Sequence, residues 1–387
     1  MGHEVDLLCG NDIIPGPRQE YVQRHVADQA NPPWYRKNRF LAPLVNSVSE
    51  AVNIRHDFRL ARAVSQRIRE FSPDLVLQRS SRLDGRTLQA VLKSGTTAVL
   101  EWKDNYVPSP AAQQALRRGD LYGLSLFKTW ARRAEQWKEA HANYLVVESG
   151  VLRDQLLAGT GRDPDRILVA LNAVDAGEFS RDRIETRPDH QLGLPEDAFR
   201  AIFVGSFNWY QNVEVLVEAI ASPDCPDNVH AILVGDGENR QRVEEHAEQL
   251  GLGQRVHFTG RVPFADVPSW LASAHCAVLP DCTEIITPIK VQEYMAMGIP
   301  PVIPDYDANR EIVDDGKTGL LFAARDPRAL ARSLATLAGD PESCVTLGGQ
   351  AARIARERFS WEATWGRVIE TIAERAGVTE CRSASAV

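Results

Sequence analysis

Short apolar runs that do not alternate with polar residues, each followed by a longer amphipathic stretch, constrain this chain more than any other feature. They lie at Val5–Cys9, Leu75–Gln78, Ala98–Glu101, Tyr144–Val147, Ile167–Leu171, Ala201–Val204, Ala231–Val234, Val256–Phe258, Cys276–Leu279 and Val302–Pro304. A strand buried on both faces reads as such a run, whereas a strand with one wet face alternates. Between the runs, helical periodicity marks Leu60–Phe71, Leu121–Ala142, Val213–Ser222, Asn239–Leu250 and Pro327–Ala338. Strand followed by helix, repeated end to end, predicts parallel strands joined by helical crossovers. The fold class is α/β with doubly wound sheets.

A chain of 387 residues exceeds one compact core and predicts two domains. The stretch SRDRIETRPDHQLGLPEDAF carries charge, proline and glycine without apolar periodicity, as a linker does. The expected order is an N-terminal Rossmann-like domain over 1–180, a linker over 181–198 and a C-terminal Rossmann-like domain over 199–358. A C-terminal helix at 359–378, placed to pack back on the N-terminal domain, and a tail at 379–387 follow. Two such halves leave a cleft, the usual home of a ligand.

The net charge of −8 lacks the basic face that phosphate backbones require, so nucleic acid is not an expected partner. Six scattered cysteines with no CxxC pair suit reduced thiols and the cytoplasm. No apolar run approaches the ~20 residues of a membrane span. MGHEVDLLCG has no apolar core behind a basic start, so no signal peptide is expected. That leaves a cytoplasmic protein, with peripheral contact at the inner membrane face still open.

The segment from Cys276 to Phe322, CAVLPDCTEIITPIKVQEYMAMGIPPVIPDYDANREIVDDGKTGLLF, carries the most chemistry. Thr287 is expected as N-cap and Pro288 as the first helical residue. The helix then ends at Gly298. Lys290 stands in the first turn, where the helix dipole disfavours a cation unless an anion is bound. The chain has only seven lysines, so one in this place is informative. Glu293 follows on the same face. The pair reads either as a surface ion pair or as the phosphate and ribose contacts of one nucleotide.

These residues resemble a known family. The order P-x-K-x-x-EYMA-x-G, N-x-E-I-V and D-G-x-x-G-L-L stands here as Pro288, Lys290, Glu293–Ala296, Gly298, then Asn309, Glu311–Val313, then Asp315, Gly316 and Gly319–Leu321. It is similar to the signature of retaining glycosyltransferases of family 4, which share the two-Rossmann GT-B fold. The similarity extends back through FVGSFNWYQN, ILVGDGENR and VHFTGRVPFADVPSWLASA. It is weaker at GHEV, LVVESGVLRDQL and RILVALNAVDAGEF. The resemblance implies transfer of a hexose-type sugar from a UDP- or GDP-sugar to a sugar, lipid-linked or small-molecule hydroxyl. It further implies retained configuration and neither cofactor nor metal.

In that family the second glutamate of a pair eight positions apart binds the ribose, and Glu293 matches it. The first contacts the donor hexose; its position is Ile285, with Glu284 displaced by one. The family also places Arg and Lys after the first strand of the donor domain, where this chain has Ser206 and Gln211. Lys290 and Arg261 are the expected replacements. The implied donor positions are Gly205, Ser206, Asn212, Gly235, Gly260, Arg261, Ile285, Ile286, Thr287, Lys290 and Glu293, with Lys290, Glu293 and Glu284 as the catalytic set.

Other signals weigh less. Asp305-Tyr306-Asp307 is a DxD, read here as a polar turn before a helix start at Asn309–Val313. Gly235-Asp236-Gly237 is an incomplete phosphate loop. His257 and His275 read as packed histidines. Arg79, Glu101, Lys103 and Asp104 end N-terminal strands and are acceptor-side candidates. FKTWARRAEQWKEA interleaves acids with bases and reads as a packed helix rather than a membrane-surface one. Family members begin with a strand, glycine-rich loop and helix ahead of the GHEV segment, so the first βα unit is expected to be missing. That absence, with Ile285, favours the rival reading of a non-catalytic nucleotide-sugar-binding or partner-binding paralogue.

Overall fold

The computed structural model describes residues 42–80, 85–102, 128–285 and 287–378. The expected strand at Val5–Cys9, the first βα unit, residues 121–127 of the expected helix, the candidates Lys103, Asp104 and Ile286, and the tail at 379–387 lie outside them.

The chain divides into two compact units. One runs to Glu148, resumes over Leu152–Ala170 and takes in the chain from Gly366; the other is Ser149–Val151 with Leu171–Trp365.

In the first unit, α1 (Ala42–Phe71) precedes β1 (Leu75–Arg79), α2 (Gly85–Ser94), β2 (Thr97–Glu101), α3 (Lys128–His141), β3 (Tyr144–Val147), α4 (Gly150–Thr160, its first two residues counted with the second unit) and β4 (Ile167–Val169). The strands form a parallel sheet in sequence order. Asp57 of α1 caps α2, accepting from the Arg86 and Thr87 amides at 2.8 and 3.0 Å and from Thr87 Oγ1 at 2.7 Å. The basic–acidic helix α3 turns Lys138 fully inward, where its ammonium meets Glu135 at 2.8 Å and Ser80 Oγ at 2.9 Å. A buried charge needs such partners.

The second unit runs β5 (Phe199–Val204), α5 (Glu214–Ala221), β6 (Val229–Val234), α6 (Arg240–Gln249), β7 (Val256–Gly260), α7 (Val267–Ala272), β8 (Cys276–Val278), α8 (Ile289–Ala296), β9 (Pro301–Pro304), α9 (Asp307–Arg310), β10 (Leu320–Phe322), α10 (Pro327–Gly339) and α11 (Pro341–Arg358). The parallel order is β10–β9–β8–β5–β6–β7. Successive residues of one strand enter opposite cores, which is why the runs do not alternate. Ala201, Phe203, Ala231 and Leu233 pack with α5, α6 and α10 on one face. Ile202, Ile232 and Val234 pack with α7, α8 and α11 on the other. The strand β10 was not among the sequence-predicted runs.

Residues 181–198 are not bare linker. They form 3₁₀ turns at Arg181–Arg183 and Pro188–Leu192, and Arg181 donates to the Ala274 carbonyl at 3.1 Å. After α11, a π turn at Glu362–Gly366 leads into α12 (Arg367–Arg375), so the expected helix at 359–378 is two pieces. Two helix starts also differ from expectation. Pro288, with ψ of 127°, is itself the cap of α8 and Ile289 the first helical residue. The helix after the DxD begins at Asp307 rather than at Asn309, because the acidic residue opens it favourably.

Candidate functional site

Counted from its own first strand, the second sheet reads 6-5-4-1-2-3, and the strand order reverses between β5 and β8. Open α/β sheets bind ligands outside the carboxyl ends of the strands flanking that reversal. The loops after β5 and β8 therefore define the place, and Lys290 joins them. Its ammonium, carried by α8, donates to Gln211 Oε1 at 2.9 Å and lies 4.7 Å from the Phe203 ring centroid. It also occupies the space a side chain at Gly205 would need.

The glycines here hold backbones together. A Cβ on Gly235 would strike the Gly205 carbonyl, and one on Gly237 would lie 2.6 Å from the Phe207 amide nitrogen. Gly235 also has φ of 136°, which L side chains rarely adopt. Gly235→Ala is expected to lower unfolding stability by about 2 kcal/mol or more through strain and displacement of the Gly205 loop; denaturant unfolding measures it.

Tyr294 places α8. Its hydroxyl, buried in the core, accepts from the Val204 amide at 3.1 Å and donates to the Val204 carbonyl at 3.3 Å. The helix is thereby fixed to the last residue of β5. At the far end Gly298 takes φ of 67° and the Ile299 amide reaches the Tyr294 carbonyl at 3.1 Å, closing the helix in a left-handed turn.

Lys290 and Glu293 are both partly buried, and burial disfavours each charge. It pulls the Lys290 ammonium down to about 8, against the opposing pull of Glu293. It pushes the Glu293 carboxyl up to about 7, opposed by Lys290 and reinforced by Glu178. A titratable pair displaced toward neutrality at a sheet's switch point makes this a candidate functional site.

The loop between β8 and α8 is gripped from outside itself. Ser149 Oγ donates to the Ile285 carbonyl, and Asn172 Nδ2 donates to the Thr287 carbonyl at 2.6 Å. Glu311 accepts from the Gly150 amide at 2.9 Å and the Val151 amide at 3.2 Å. Sequence reasoning did not single out Ser149 or Asn172, and it noted Gln211 only as standing where the family has a cation; the structure reveals their partners. Glu284 is ion-paired with Arg325 at 3.1 Å, and Arg325 also reaches the buried Asp281 at 3.2 Å. Tyr306 donates to Asp281 at 2.8 Å.

The DxD acids are engaged elsewhere. Asp305 takes Arg310 at 2.6 Å and 2.8 Å, and Asp307 takes it at 3.4 Å. Among the described residues no three His, Cys, Asp or Glu side chains gather as a metal site, and no helix is long and apolar enough to cross a membrane.

The remaining candidates spread out. Ser206 Oγ accepts from Asn208 at 2.8 Å. Asn212, with φ of 42°, precedes Val213, the cap of α5, and lines a groove with α6 residues Arg242 and His246. Gly260 accepts from the Gly235 amide at 2.9 Å. Arg261 is exposed beyond β7, which lies two strands from β5. In the first unit, Arg79 and Glu101 end neighbouring strands with Nε and Oε2 3.8 Å apart. His275 accepts from the Arg200 amide at 2.9 Å, and burial lowers it to about 4, as suits a packed neutral ring.

Residues 185–353 match the family described as glycosyl transferases group 1. The match falls on the second unit and includes the Lys290 site. The chain is 30% identical to the D-inositol 3-phosphate glycosyltransferase of Corynebacterium glutamicum over 244 residues, 60% of this chain and 58% of that protein. It is equally identical to the enzyme of that name from Thermomonospora curvata over 251 residues, 61% and 58% of the two chains. The alignment thus spans less than two thirds of these relatives. In structure, the chain resembles Anabaena Alr3699/HepE, with TM-score 0.67, 21% identity and 82% of each chain covered. It also resembles a Thermosynechococcus elongatus sucrose-phosphate synthase, with TM-score 0.66, 18% identity and 84% and 79% covered. The fold is GT-B, as the sequence implied.

Proposed function

We propose that this protein transfers a hexose-type sugar from a nucleotide donor, UDP-linked before GDP-linked, to a hydroxyl of a sugar or polyol acceptor with retained configuration. The observation that carries this reading is the Lys290 ammonium, lying against Gly205 across the switch point and followed by Glu293 one helical turn on. A diphosphate on Gly205 meets that ammonium at the positive end of the α8 dipole, and Glu293 accepts from the ribose hydroxyls. Support for uridine comes from Alr3699/HepE, whose structures hold UDP and UDP-glucose.

Charge develops on the diphosphate as the bond from the anomeric carbon to the β-phosphate oxygen breaks. Lys290 therefore acts mainly in the transition state. The acceptor oxygen bonds that carbon on the face the diphosphate leaves, and its proton passes to the departing phosphate oxygen. This path uses no protein nucleophile, and Lys290 supplies the charge a divalent ion would otherwise bring. Transfer should persist in EDTA and give product of unchanged anomeric configuration by proton NMR. Activity abolished by EDTA and restored by Mn²⁺ would overturn the metal-free path.

One observation favours the non-catalytic alternative. The position of the hexose-contacting glutamate is Ile285, which is buried, and the adjacent Glu284 is ion-paired with Arg325. Tight UDP binding without turnover on any sugar donor would select it.

A further inference from the structure

Two of the large apolar side chains left open to water among the described residues, Trp209 at 43% and Ile289 at 46% exposure, flank the switch point. Ile289 immediately precedes Lys290. Trp209 sits at the tip of the turn after β5, and that turn is braced. The Gln211 amide donates to the Asn208 carbonyl at 3.0 Å. Asn208 Nδ2 donates to Ser206 Oγ at 2.8 Å and to the Tyr210 hydroxyl at 3.1 Å. The Trp209 and Tyr210 rings meet edge to face, 5.7 Å between centroids and 85° between planes. Gln211, only 5% exposed, ties the turn's base to Lys290.

We infer that Trp209, braced by Tyr210, is a stacking wall for the apolar face of a pyranose ring. An indole held on a closed turn offers its face with little ordering left to do on binding. The nearby polar groups of Ser206, Asn208 and Tyr210 are largely spent on one another, so the turn offers chiefly the ring face. Its anchor, Gln211, bonds the cation assigned to the diphosphate and not Glu293, the residue assigned to the ribose. The wall thus stands at the phosphate end, where the transferred sugar and its acceptor meet. This placement rests on the proposed donor reading. Both the donor hexose and an acceptor sugar present the same C–H face to such a ring.

The test is calorimetry on the full chain and on Trp209→Ala and Trp209→Phe, titrated with UDP, with UDP-glucose, and with methyl glucoside after saturation by UDP. A donor-side wall predicts that Trp209→Ala weakens UDP-glucose about five- to tenfold and leaves UDP within twofold. An acceptor-side wall predicts the same loss for methyl glucoside alone. In either case Trp209→Phe restores most of the affinity. Equal losses for UDP and UDP-glucose would instead place the base on the indole and overturn the inference, as would no loss for any ligand. Failure of the unsubstituted chain to bind UDP or UDP-glucose would overturn the donor reading itself, and the wall with it.

Discussion

Lys290→Ala is expected to weaken UDP binding far more than uridine binding, and to reduce transfer by a further factor. The ammonium is the charged group that α8 brings against Gly205, and charge-assisted hydrogen bonds contribute about 1.5–3 kcal/mol each. UDP affinity should therefore fall about ten- to a hundredfold while uridine affinity moves little. Glu293→Gln should weaken both by about 1–3 kcal/mol, because the ribose is common to both ligands. Titration calorimetry of the two ligands against the two variants gives four numbers. Equal losses of uridine and UDP in Lys290→Ala would remove that residue from the phosphate site.

The same pair sets the dependence on pH. Lys290 loses its charge as pH rises through about 8, and Glu293 loses its charge as pH falls through about 7. UDP should bind best between those values, with Lys290→Met flattening the alkaline limb and Glu293→Gln the acid limb. Stability of the free protein follows with opposite signs. The Lys290 pKa is lower folded than its ordinary 10.5, so the unfolded chain binds more protons and stability rises as pH goes from 8 toward 10.5. The Glu293 pKa is higher folded than its ordinary 4.5, so stability falls as pH rises from 4.5 to 7. Near pH 7.5 both groups are held charged at a cost. Lys290→Met with Glu293→Gln is expected to raise unliganded stability by about 1–3 kcal/mol, allowing for their access to water, while nearly abolishing UDP binding. A double variant less stable than its parent would contradict that account.

The sheets were legible in the sequence chiefly because strands such as β3, β5 and β6 are buried on both faces. Tyr144–Val147, predicted as a strand, is a strand over those same residues. Leu320–Phe322 escaped because three residues beside a glycine turn carry no usable periodicity. Lys290 stood out because cations are unfavourable in a first helical turn. Gln211 reads in the sequence only as a missing family cation; that it is the partner of Lys290 appears once the helix from another strand reaches it. The same holds for Ser149 and Asn172, whose bonds to the carbonyls of residues 285 and 287 cross more than a hundred positions of chain. Arg325 adopts φ of 61°, a conformation that its residue type argues against, so its grip on Asp281 and Glu284 lay outside any pattern.

Tyr294 makes the cation a property of a helix stitched to the sheet, not of the loop after β5. In many sites of this kind a change of loop sequence endangers the ligand's charge partner. Here Ser206, Asn208, Trp209 and Tyr210 are open to exchange while the ammonium stays in place, provided Gln211, the glycine at 205 and the buried Phe207 are kept. The architecture separates a fixed cation from the turn beside it. On the proposed reading, libraries confined to those four positions are the route to new sugar preferences in this scaffold.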